Sequence, residues 1–100
     1  MSLYWEGGAL SATATKGTKT LGEACTSLLV YNRDTTNEVF INLNSATVTA
    51  STSYFRLAPG KSVTIEVDHS SSGITSFSYI CDTGETATVD YAAMRGARCW

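Results

Sequence analysis

Apolar and polar residues alternate in short runs along this chain, and the most constraining run is YFRLAPGKSVTIEV, Tyr54 to Val67, which holds the only proline, followed at once by glycine. Val63, Ile65 and Val67 fall on one side of an extended backbone and Ser62, Thr64 and Glu66 on the other, the two-residue period of a strand with one buried face. Pro59 presets φ for the second position of a turn, and Gly60 can take the positive φ that the third position of a type II turn demands. Ala58-Pro59-Gly60-Lys61 therefore reads as a type II turn. Tight hairpins favour the primed turns, whereas type II splays the strands it joins, so this corner is expected to redirect the chain between sheets. Pro59 and Gly60 are read as structural residues, not as a site.

The same pattern recurs. Ala9–Thr15, Ala24–Asn32, Glu38–Leu43, Ala46–Ala50, Tyr54–Leu57, Ser62–Val67, Ile74–Cys81 and Thr86–Ala92 are short and rich in Thr, Val, Ile and aromatic residues. Between them lie KGTKTLGE, NRDTTN, DHSSSG and DTGE, all of turn character. No segment carries a 3.6-residue apolar period over three turns, so no helix is expected. The fold class is all-β: a single antiparallel β-sandwich, jelly-roll-like or Ig-like, of about eight short strands with extended terminal arms. The expected organisation is one domain over 1–100, with an N-terminal arm at 1–8, the sandwich at 9–92 and a C-terminal tail at 93–100.

A chain of 100 residues, 43% of them hydrophobic, builds one thin core, and domains of this size often draw stability from association, disulfides or metal. The formal net charge is −2 and the 7 Lys and Arg are scattered, which disfavours a nucleic-acid partner. No apolar run is long enough for a membrane-spanning helix, and MSLYWEGG lacks the charged start and apolar middle of a signal peptide, so synthesis in the cytoplasm without processing is expected. Cys25, Cys81 and Cys99 are too widely spaced for a C-x-x-C pair. Cys25 and Cys81 read as small buried strand residues, with a Cys25–Cys81 disulfide as the alternative.

The triplet Asp82-Thr83-Gly84 resembles the active-site motif of retroviral-type aspartic proteases, whose dyad shares a proton between two carboxylates. Here it lies late in the chain and is followed by Glu85, a further carboxylate that would disturb such sharing. The plainer reading is a hairpin loop with Gly84 in a left-handed position. His69, the only histidine, lies in the polar DHSSSG segment, and neighbours in a loop rarely converge into a triad. Gly7-Gly8 opens no phosphate-binding loop. No catalytic residue, metal ligand or cofactor is therefore assigned. Aromatic residues outside the strand pattern either fold back on the domain's own core or anchor on other chains, where Trp and Tyr are enriched; on the second reading Tyr4, Trp5, Arg95, Arg98 and Trp100 in the terminal arms are the candidate contact residues.

The order of these segments carries a resemblance. ACTSLLVYN, a polar loop, EVFINL, a Ser/Thr-rich stretch, YFRLAPGKSVTIEV and SYICDTGETATVDY together resemble small β-sandwich virion proteins of tailed bacteriophages. Leu57, Pro59, Gly60, Ser62 and Val63 carry the most specific part of the match, which spans about Ala24 to Tyr91. The glycine often found after the EVFINL-like strand is absent, and Asn42 and Asn44 stand nearby. The resemblance implies a structural protein of the virion and does not itself choose head over tail. With no catalytic motif, and with nearly all of the sequence in one domain and no fibre shaft, the leading reading is a head decoration or cement protein, not an enzyme, that bridges major capsid subunits, with a homotrimer suggested by the resemblance. A tail, tail-tip or fibre-associated adaptor or receptor-binding module is the alternative, and a DTG-type protease a distant third.

Overall fold

The computed structural model describes residues 4–43, 55–67 and 73–95. Among them are eight strands and no helix: β1 (Tyr4–Ala12), β2 (Gly17–Cys25), β3 (Ser27–Asn32), β4 (Val39–Leu43), β5 (Phe55–Leu57), β6 (Ser62–Glu66), β7 (Ile74–Ile80) and β8 (Ala87–Arg95). They form two four-stranded antiparallel sheets, ordered β1-β8-β3-β6 and β2-β7-β4-β5. The pairs β1–β8, β2–β7, β3–β6 and β4–β5 are nested, as though one long hairpin had been rolled until its two sides met through β3–β8 and β4–β7. That winding is the jelly roll, and it sets aside the Ig-like order, in which the strands are distributed differently between the sheets.

The corner behaves as its residues require. Lys61 N–H donates to Ala58 O at 3.0 Å and Gly60 has φ +75°, the two marks of a type II turn. It carries the chain from β5 in one sheet to β6 in the other. The buried side chain of Asn32 holds it there, donating from Nδ2 to Asn37 O at 2.8 Å and Leu57 O at 3.0 Å and accepting Asp34 N–H at Oδ1. The backbone of Asn32 also bonds both sides of the turn, N–H to Lys61 O and O from Gly60 N–H.

Several boundaries differ from those read in the sequence, each for a physical reason. Tyr4–Gly8 are not an arm but the first part of β1, paired with Tyr91–Arg95, so the sandwich extends beyond 9–92 at both ends. β2 occupies the stretch read as the separator KGTKTLGE. It is an edge strand in which only Leu21 and Cys25 are buried, so its sequence need not alternate strongly. The run Ala24–Asn32 is two strands broken at Thr26, where the chain passes between sheets; Thr26 N–H donates to Met94 O and Thr26 O accepts Val67 N–H. The DTGE segment is a tight turn, closed by Glu85 N–H on Asp82 O with Gly84 at φ +78°, but it is not a hairpin, because β7 and β8 lie in different sheets. The strand expected at Ala46–Ala50 lies outside the described residues.

Between the sheets, Leu28 and Val30 of β3 and Val89, Tyr91 and Ala93 of β8 pack against Val39, Ile41, Leu57 and Phe77. Cys25 and Cys81 are both buried and free, with no disulfide between them. Cys81 Sγ–H donates to Ala12 O, and burial, then Glu85 and Asp34, push its pKa up to about 11.

Candidate functional site

The two outer faces of the sandwich are unlike. On the β2-β7-β4-β5 sheet, Phe40, Asn42, Ser76 and Ser78 are buried, the Arg56 guanidinium lies 5.6 Å from the Phe40 ring centre, and Thr18 shares a hydroxyl hydrogen bond with Ser78. On the β1-β8-β3-β6 sheet the outward residues are open. Trp5, Leu29, Tyr31 and Met94, the exposed large hydrophobic residues of the described chain, all belong to this one face. Trp5 is 75% and Met94 53% exposed, and they are directly paired neighbours on β1 and β8.

The register fixes the layout. Trp5 pairs with Met94, which pairs with Ser27; two residues along, Gly7 pairs with Ala92, which pairs with Leu29; two further, Ala9 pairs with Asp90, which pairs with Tyr31. Residues two apart share a face, so these make one contiguous surface, with large side chains around the small floor of Gly7, Ala92 and Ala9. Its outward charges are few. Asp90 takes both Nε and Nη2 of Arg33, at 3.0 and 2.6 Å, which lowers the Asp90 pKa, and Glu66 stands at a corner on β6.

The opposite side of β1 holds this surface in place. Glu6 points between the sheets, where Oε1 accepts from the Tyr4 hydroxyl and from Gly22 N–H of β2 at 2.6 Å, and Oε2 accepts from the Tyr91 hydroxyl of β8 at 2.8 Å. A Cβ at position 22 would press on the Tyr4 hydroxyl, so a larger residue there would have to displace the Tyr4 side chain and its bond to Glu6. The bonds hold Glu6 below the usual carboxylate range, Gly22 N–H foremost, while burial and then the Glu6 bond push Tyr91 up to about 12. Lys19 Nζ lies 5.8 Å from the Tyr91 ring centre. One carboxylate thus ties β1, β2 and β8 together and sets Trp5 and Gly7 outward.

Of the contact residues read from the sequence, Trp5 stands on the face, whereas Tyr4 turns inward to Glu6. Arg95 forms an ion pair with Glu23 that joins β8 to β2. Arg98 and Trp100 lie outside the described residues, as do His69 and Cys99. Leu29, Tyr31, Met94 and Ala92 were missed. For Leu29 and Tyr31 the signal was present in SLLVYN, where apolar residues occupy both parities of a strand, the mark of a strand contacted on both faces; for Ala92 and Met94 it lay in the run YAAM of β8. Asp82 is exposed and its Oδ1 accepts the next residue's N–H at 3.0 Å, so it caps its own turn. No group of metal-ligating side chains occurs among the described residues. No protein-family model matches the chain, and no curated protein matches it either.

Proposed function

We propose that this chain is a structural protein of a tailed-phage virion, of the capsid decoration or cement type, and that its work is assembly rather than catalysis. The observation that carries the reading is the convergence of Trp5, Leu29, Tyr31 and Met94 on one open face of the jelly roll. Monomeric surfaces rarely leave such residues contiguous, and patches of this kind mark contact with other chains. The sequence resemblance supplies the setting: a small sandwich repeated over a symmetric shell gains affinity from many weak contacts. The partner is then the major capsid protein and the location the capsid surface. Neither nucleic acid, membrane nor cofactor takes part in this role.

The test is co-sedimentation of the purified protein with heads assembled without it, followed by imaging of the particles. Saturable binding at regular positions on the shell, weakened by Trp5→Ser, is the expected result. Binding to tails alone would replace decoration with the tail-adaptor role, and binding to neither would remove the virion reading.

A further inference from the structure

We infer that the outer face of the β1-β8-β3-β6 sheet is covered in solution by a second copy of this chain, the two sheets crossing about a two-fold axis that passes through Ala92. The inference rests on the assembly reading above: the face joins two copies of the chain, and the pair, not this face itself, meets the shell.

The arrangement around Ala92 carries it. Leu29 is its paired neighbour on β3, and Met94 lies two residues along β8. Trp5 and Tyr31 sit at opposite diagonal corners, Trp5 beside Met94 and Tyr31 beside Asp90. With strands about 4.8 Å apart and same-face residues about 6.6 Å apart, Trp5 and Tyr31 are nearly equidistant from Ala92. A two-fold axis in the interface plane, through Ala92 and perpendicular to the line joining those corners, lays Trp5 of each copy over Tyr31 of the other. The same axis lays Met94 over Leu29. Every exposed large hydrophobic residue of the described chain finds an apolar partner, twice by symmetry, and Ala92 on the axis is small enough to let the sheets close.

Charge points to the same occupant. Asp90 is already bound to Arg33, so the face offers little to steer a charged partner, and a nearly neutral surface of the same relief fits best. Under the axis Asp90 falls over Gly7 rather than over its own copy. Glu66 lies close to the axis at the exposed rim, about 12 Å from Ala92, where the two carboxylates face each other through solvent and oppose the pairing weakly. A threefold ring, as the resemblance suggested, needs two different patches, whereas this surface complements itself. Four strands at about 4.8 Å make a face about 19 Å wide, and two such faces crossed overlap over about 360 Å² of footprint each, below the standard stable interface. The pair is therefore a weak dimer, reinforced when copies are concentrated on a shell.

A residue on a two-fold axis meets itself, which gives a direct test. Sedimentation equilibrium of the full chain up to about 1 mM should show a monomer–dimer equilibrium for the wild type and for Thr20→Arg, an exposed position on β2 of the other sheet. Ala92→Arg and Ala92→Glu should each weaken association by about tenfold or more while keeping the β-type circular dichroism. Mixing the two variants should restore it, since the introduced guanidinium then faces the introduced carboxylate across the axis. Glu66→Gln should tighten the pair by about two- to threefold, and a weaker pair would contradict the placement of the axis. A monomeric wild type, a trimer, or a mixture that associates no better than either variant overturns the dimer. If the wild type is monomeric yet binds heads, the dimer fails and the virion role stands; if it dimerises but binds neither heads nor tails, the dimer stands and that role fails.

Discussion

Single residues hold this fold at points where the backbone has little choice. Gly60 has φ +75° and nothing near its missing side chain, so a substitution there meets conformational strain and no collision. Gly60→Val should cost about 1–3 kcal/mol, whereas Lys61→Ala beside it, on an exposed side chain, should change stability by less than about 0.5 kcal/mol. Urea titration separates the two, and equal small effects would contradict the type II corner. Glu6 acts through its protonation state. Because its folded pKa lies below the ordinary value of 4.5, it adds stability above that pH and loses it as the pH falls through the depressed folded value. Asp34 and Asp90 are lowered as well, so the wild type should destabilise on acidification and Glu6→Gln should flatten only part of that slope. At neutral pH the same change should cost about 1–2 kcal/mol, the lower range for charged hydrogen bonds because the site is half open to water. An unchanged pH profile would mean that the Gly22 and Tyr91 bonds do not discriminate between the charged and neutral carboxyl.

At the scale of the strand, burial decided what the sequence revealed. β6 shows its parity because one face is covered and the other is not, and the Pro-Gly corner is legible because two residue types at fixed turn positions leave few alternatives. β2 was hidden because an edge strand with few buried side chains looks like a polar loop. The break at Thr26 was hidden too, since crossing between sheets needs no glycine or proline when the backbone of Thr26 finds partners on both sides. The open face was half legible: Trp5 stood out by its type, but its companions became visible only once register placed Met94 and Leu29 beside it. β1 yields a prediction of its own. Removing Met1–Gly8 deletes the pairing of Tyr4–Gly8 with β8 and the Glu6 bonds to β2, so the truncated chain should lose about 3–5 kcal/mol, a large share of an ordinary domain's stability. An unchanged urea midpoint would return those residues to the status of an arm.

For the whole molecule, nesting governs how the chain reaches this state. Tyr4 pairs with Arg95, so the outermost strands meet only after nearly the entire described chain has been brought round. The innermost strand pair, β4 with β5, in which Ile41 meets Phe55, closes a far shorter loop. Loop closure is cheaper once an inner pair has shortened the effective distance, so zipping from β4–β5 through β3–β6 to β1–β8 is the least costly order. Folding dominated by distant pairings falls in the slow range for small domains, about milliseconds to seconds. The order is readable by mutation. Val39 and Val89 are both fully buried, one in the innermost strand pair and the other in β8 of the outermost. Substituting either by alanine should cost about 1.5–3 kcal/mol, enough for a dependable ratio of kinetic to equilibrium effect. Val39→Ala should act mainly by slowing folding and Val89→Ala mainly by speeding unfolding, measured as opposite arms of a stopped-flow chevron. The reverse assignment would mean that the two ends of the chain meet first, and that the roll closes from its rim inward.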